Sequence, residues 1–272
     1  MTQPAPQGRG YEAQSYWRER LERDFSLVGV GYRALGAAFN RWQYRGYLRN
    51  LEWAQERFGF NLGRNSILEC GLGTGFFLDY YERLGNGDFT GLDLTEISVE
   101  NARKRFPGRT FRQADLSDPG LDLGEQYDIV TAFAVLLHIT DDAAFGRAMH
   151  NLCRHSKEWI LISDPFPRRR HNPGVASHNV IRSHSEYESA LAAGGFEIAG
   201  VVPVFALLTP PRSDARLWFY FWSVVLRVLT LTELTGYLAG ACFYWLDGIL
   251  IRWFKVDVSL RLLVARRKAD AR

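Results

Sequence analysis

The sequence predicts an α/β fold built on a doubly wound parallel sheet. Three observations predict it. Strand-like and helix-like runs alternate strictly from Ser66 onward, a glycine turn follows the first strand, and an aspartate ends each of the next two. Strict alternation makes each helix a crossover between parallel strands, so the sheet is covered on both faces.

Taken in order, the lead-in "MTQPAPQGRG" is polar and rich in Pro and Gly, with no apolar core to make it a signal peptide. From Tyr11 to Phe58 the pattern is helical: Tyr44, Tyr47, Leu48, Leu51, Ala54 and Phe58 recur at three and four residues. Glycines in "VGVGYRALG" (28–36) divide this stretch into a short helix, a loop and a longer helix. Strands are expected at 66–70, 89–93, 109–113, 127–133 and 158–163, with helices at about 75–84, 96–106 and 141–154. "SHSEYESALAAGGF" (183–196) reads as a helix ended by Gly194-Gly195, "FEIAGVVPVFALL" as a strand, and "VDVSLRLLVARR" as the last strand.

The chain has 272 residues, of which 47% are hydrophobic, enough for a substantial core. A net charge of +3 does not suggest a nucleic-acid partner. Cys70, Cys153 and Cys242 are too few and too scattered for a disulfide framework, which points to a reducing, cytoplasmic setting.

In "ILECGLGTGFFLDYY" the pattern is GxGxG, and Phe76 stands where the third glycine of a dinucleotide fingerprint belongs. A phosphate loop would need Gly-Lys-Ser/Thr, which is absent. Asp93 ends the second strand, where a carboxylate can accept from two ribose hydroxyls. Asp115 ends the third, where it can take an amino group of a base, and Leu94 and Leu116 could sandwich that base.

The ordered set Glu69-x-Gly71-x-Gly73-x-Gly75, Asp93, Asp115 and "YDIVTAFAVLLHI" resembles the class I S-adenosylmethionine-dependent methyltransferases over about 63–210 and the last strand. The resemblance implies a mostly parallel seven-stranded sheet with its last strand antiparallel. It implies S-adenosyl-L-methionine as cofactor and S-adenosyl-L-homocysteine as product. It places Glu69, Gly71, Gly73 and Gly75 beside the methionine half, Asp93 on the ribose, Asp115 on the adenine and Phe133 near the methionine end. The expected organisation is an N-terminal helical lid (1–62), a Rossmann-like cofactor domain (63–210 with 256–268) and a helical insertion (211–255).

Methyl transfer to oxygen also moves a proton, so a base is sought on the rim. His138, after the fourth strand, is the leading candidate, and His178 in the long loop 164–184 is a second. A structural part for His138 is the alternative. That loop also carries His171 and Arg168, Arg169 and Arg170, which are candidate substrate contacts or a solvated run. No metal site is expected, because the histidines lack helical ligand spacing and have no cysteine partner. Tyr11, Tyr16, Trp17, Tyr32, Trp42 and Tyr44 are aromatic lid candidates, with plain packing as the alternative.

The insertion departs from the family pattern. Its longest uncharged run, Leu234 to Leu246, is short of the roughly 20 residues a spanning helix needs, so two helices broken near Thr232–Gly236 are expected instead. Three readings stay open for it: a soluble lid or homodimer contact, a peripheral membrane contact, or an extra core layer. The expected activity is methylation, of oxygen before nitrogen or carbon, on a small molecule with apolar character. A membrane-associated enzyme acting on a lipid-like acceptor and a non-catalytic cofactor-binding homologue are the alternatives.

Overall fold

A computed structural model describes residues 12–170, 178–210, 216–254 and 260–269. The lead-in, Tyr11 and His171 lie outside the described residues.

The strands are β1 (Ile67–Cys70), β2 (Phe89–Asp93), β3 (Thr110–Gln113), β4 (Tyr127–Phe133), β5 (Ser156–Pro165), β6 (Phe196–Phe205) and β7 (Leu260–Arg267). They form one sheet in the order β3-β2-β1-β4-β5-β7-β6. The first five run parallel, and β7 is antiparallel to both β5 and β6. This is the expected mixed seven-stranded arrangement. The apolar runs of β1, β2 and β4 are buried nearly throughout, as parallel strands covered on both faces must be.

The helices are α1 (Ala13–Arg23), α2 (Leu27–Val30), α3 (Gly36–Phe58), α4 (Phe76–Arg83), α5 (Glu96–Arg105), α6 (Asp142–His155), α7 (His184–Ala193), α8 (Arg216–Leu229) and α9 (Glu233–Trp253). Two apolar cores lie on opposite faces of the sheet. One joins Leu51, Ala54, Leu78, Tyr81, Val99 and Ala102 of α3, α4 and α5 to Ile67, Ile129 and Leu161. The other joins α6 and α7 to Leu68, Val130 and Ile160. Alternate residues of each strand thus serve opposite cores, the period of two that a pleated strand imposes.

Local chemistry sets the ends of the helices. Gly59 takes φ +85° to end α3, and its N–H bonds to the Gln55 carbonyl. Ser183 and Glu186 form a capping box that starts α7. Gly200 lets α3 close on edge strand β6, because a Cβ there would lie 2.6 Å from Phe58.

The insertion breaks where expected, with Thr232 capping α9 through the Thr235 N–H. α9 is longer than the uncharged run suggested. Its 21 residues are long and apolar enough to cross a membrane by length and composition, with 17% of the apolar window buried. The run continues past Asp247 because that carboxylate turns inward. It is fully buried and accepts from the backbone N–H groups of Ala206, Leu207 and Leu208 at 3.2, 2.6 and 3.3 Å.

Candidate active site

The order of the sheet reverses at β1, whose two neighbours are β2 and β4. In doubly wound sheets the ligand crevice lies at this reversal, beyond the carboxyl ends of the strands. The turn leaving β1 fills its floor. Gly71, Gly73 and Gly75 take φ of +87°, +52° and +78°, a left-handed alternation that only glycine adopts without strain. The turn is also crowded: a Cβ on Gly71 would collide with Val135, and one on Gly73 would lie 3.2 Å from Val30 of α2.

Asp93 stands at the end of β2 and is buried. Its Oδ2 accepts the Gly73 N–H at 3.0 Å, and its Oδ1 accepts the Thr95 N–H at 2.8 Å and the Thr95 hydroxyl at 2.7 Å. Burial pushes its carboxyl up, opposed by the N–H groups of Gly73 and Thr95. Asp115 is exposed on the same rim, and its Oδ1 accepts from the N–H and the hydroxyl of Ser117, both at 2.7 Å. Leu94 is half-buried, whereas Leu116 packs into the α6-side core. Leu94 is therefore the more accessible of the two expected flanking leucines.

Glu69, expected beside the methionine half, is engaged by side chains of the protein itself. It is 1% exposed, and its Oε2 accepts the Tyr81 hydroxyl at 2.7 Å and the Thr131 hydroxyl. Strand alternation turns it into the α4 layer, so it braces the turn from beneath. Burial pushes its carboxyl up to about 7, against the two hydroxyl donors. Phe133 likewise faces the α4 layer, with its ring 4.5 Å from Phe77.

Four candidates from distant parts of the chain meet on the β4 side. The Trp17 ring lies 4.8 Å from His138, and Tyr16 stacks on His178 at 5.1 Å. The two histidine rings are 5.6 Å apart and nearly parallel. His138 Nδ1 sits 2.8 Å from the His178 carbonyl oxygen. A carbonyl only accepts, so Nδ1 carries the hydrogen and the neutral ring presents Nε2 as its basic nitrogen. Tyr44 lies beside the glycine turn, 4.6 Å from Phe76, and burial pushes its phenol up.

The arginine run divides. Arg168 is exposed and makes no ion pair among the described residues. Arg170 pairs with Asp142 at 2.8 Å and Glu186 at 3.0 Å, and so braces the loop. A recess of about 380 Å³ beside Gly75 is lined by Phe25, Thr74, Lys104 and Arg105. It opens on the α5 flank and includes neither Asp93 nor His138, so the rim, with its converging polar groups, is the better site.

Residues 67–158 match the family described as a methyltransferase domain. A probable S-adenosylmethionine-dependent methyltransferase of Mycolicibacterium smegmatis is 26% identical over 62% of this chain and 66% of its own length. Over residues 67–158 the chain is thus similar to methyltransferase domains that use S-adenosylmethionine. A ubiquinone biosynthesis O-methyltransferase of Bordetella avium is 32% identical over 42% of this chain and 47% of its own length. The matched stretch thus spans less than two thirds of the first relative and under half of the second. The fold is shared with a magnesium protoporphyrin IX methyltransferase of Synechocystis, solved with S-adenosylmethionine bound. The TM-score is 0.57 at 16% identity, over 96% of this chain and all of that one.

The residues present fit S-adenosylmethionine as cofactor. The turn leaves no room for Cβ atoms at Gly71, and the rim offers acceptor-only carboxylates to a ligand whose ribose and adenine edges donate. Sequence reasoning missed what holds this site together. Val30 covers the turn, Ser98 lies 3.0 Å from the Thr95 hydroxyl behind Asp93, and Arg182 is buried against Asp142 at 2.8 Å. It also missed Ala134, at φ +56° just beyond β4, the one described non-glycine residue with positive φ. A Ser or Thr two residues after a strand-end acid is a readable signal for the Asp93 brace; Val30 against Gly73 and Arg182 against Asp142 are contacts across long sequence separations.

Proposed function

We propose that the protein transfers the methyl group of S-adenosylmethionine to a hydroxyl of a small acceptor with apolar surface. The observation that carries this reading is His138 on the rim. Its Nδ1 is committed to a carbonyl, and its Nε2 is the basic nitrogen, beside the aromatic rings of Trp17 and Tyr16. When bound, the cofactor supplies the electrophilic methyl and a neutral thioether leaving group.

The chain's own residues then have four tasks. Asp93 and Asp115 hold the donor edges of the nucleoside, and Gly71, Gly73 and Gly75 admit the amino-acid end. The aromatic groups Tyr16, Trp17 and Tyr44 orient the acceptor and keep water out. Arg168 is a further candidate contact for the acceptor. His138 Nε2 takes the hydroxyl proton, and His178 fixes the ring through its carbonyl. The O-methyltransferase among the relatives supports oxygen as nucleophile. An N,N-dimethyltransferase of Streptomyces venezuelae, 30% identical over 38% of this chain and 43% of its own length, keeps an amine acceptor as the second reading.

The test is formation of S-adenosylhomocysteine with a panel of apolar phenols and quinols beside matched amines. Turnover with a hydroxyl acceptor that drops in His138→Gln supports the proposal. Turnover on amines alone moves the nucleophile to nitrogen. Tight S-adenosylhomocysteine binding with no turnover on any acceptor makes the chain a non-catalytic homologue.

A further inference from the structure

Among the described residues, every large apolar side chain recorded as exposed, except Leu84, lies between 217 and 254. On α9 the outermost are Trp253 at 75% and Trp245 and Leu234 at 69% each. At about 100° per residue, Tyr237, Leu238, Trp245, Leu246, Ile249 and Trp253 spread over roughly half the circumference of α9. The opposite arc, with Gly236, Gly240 and Asp247, is buried. A single partner helix needs a stripe only about 100° wide. An exposed half-cylinder of this breadth is suited to a fluid hydrocarbon boundary, and Trp and Tyr favour that interface.

Charge agrees. The Glu233 carboxylate is turned onto α3, accepting the Ala37 and Ala38 N–H groups at 3.1 and 2.7 Å, and Asp247 is fully buried. The exposed charges on the described hairpin beyond Glu233 are cationic, Arg227 and Arg252. Arginines of α3 flank α9. Arg45 lies over Trp42, which packs on Tyr237, and Arg49 lies over Tyr244. At the end of α9 a recess of about 330 Å³ is lined by Trp53, Arg57 and Arg252, with Glu56 as its one acid. An apolar face with a basic border complements a surface whose headgroups are anionic.

We propose that the α8–α9 hairpin docks the protein on the surface of an anionic phospholipid bilayer. The outer half of α9 enters the boundary between headgroups and acyl chains, with Arg57 and Arg252 at the phosphates. The inner arc stays on α3, where Gly240 admits Trp42, and Asp247 stays tied to the end of β6. α9 therefore lies along the surface rather than through it.

The chain carries its own probe. Cys242 is exposed on the outer arc, whereas Cys70 and Cys153 are buried. Burial pushes the Cys153 thiol up to about 12 and Cys70 well above its ordinary value, so a maleimide at neutral pH selects Cys242. An environment-sensitive fluorophore there should brighten with phosphatidylcholine–phosphatidylglycerol vesicles, and nitroxide-bearing lipids should quench it. In flotation of the unlabelled full chain, Trp245→Glu with Trp253→Glu should lower partition about tenfold or more, with melting unchanged. Leu234→Glu, at a site 69% exposed, is the substitute if that pair lowers melting. Arg57→Gln with Arg252→Gln should weaken binding to anionic vesicles by about twentyfold and leave neutral vesicles unaffected. A fluorophore that neither brightens nor is quenched would overturn the proposal. So would a dimer that the tryptophan variant dissociates while no form floats, which would give the face to a second copy of the chain.

Discussion

Replacing Glu69 with Gln should change how stability depends on pH while leaving the cofactor rim intact. The carboxyl is fully buried, and its folded pKa rises from 4.5 to about 7. A carboxyl raised on folding binds its proton more tightly in the folded state. Its contribution is complete below the unfolded value near 4.5 and is lost as pH climbs through the folded value near 7. At about 1.4 kcal/mol per pH unit, that window amounts to about 3 kcal/mol. Tyr81 and Thr131 both donate to the same oxygen, Oε2, so the amide oxygen of Gln can keep both donors. Any remaining difference is a constant offset, and the buried Asp93 and Asp247 titrate alike in both proteins. Urea denaturation at about pH 5 and about pH 8.5 should show the native chain losing about 3 kcal/mol relative to Glu69→Gln. S-adenosylhomocysteine affinity should stay within about threefold, because this side chain faces α4 rather than the crevice. Parallel stability curves would refute the buried-carboxyl argument, and a large affinity loss would return Glu69 to the cofactor.

Four further outcomes follow from other contacts. Asp93→Asn should weaken S-adenosylhomocysteine by about tenfold or more in calorimetric titration, the value of at least one charge-assisted bond to the ribose; unchanged affinity would refute the ribose assignment. His138→Gln should keep that affinity and cut turnover by about a hundredfold or more, the span of general-base catalysis, as read in single-turnover assays. Asp247→Ala should destabilise the fold by about 2–4 kcal/mol in urea, because three backbone N–H groups lose their acceptor. Burial pushes the Asp247 carboxyl up from 3.8 to about 6, so the native chain should gain stability relative to the Asp247→Asn variant as pH falls from about 6 to about 4.

The alternation of strand and helix, the glycine turn and the two strand-end aspartates were legible in the sequence because each is set locally. β4 falls at Tyr127–Phe133 as its apolar run predicts, and β1 begins one residue inside its predicted span. β5 runs wider than predicted, Ser156–Pro165, because pairing with β7 extends the ladder to Pro165. Period-two burial and the left-handed freedom of glycine operate within a few residues, so sequence alone determined the sheet and the place of the crevice. Other features depend on contacts between distant segments. These include the inward turn of Glu69 onto Tyr81 and Thr131, the meeting of Trp17 with His138 and of Tyr16 with His178, and the use of Arg170 to brace Asp142. α9 shows the difference most plainly. Its composition says only that it is apolar; its packing on α3 and the burial of Asp247 decide which half of it faces outward.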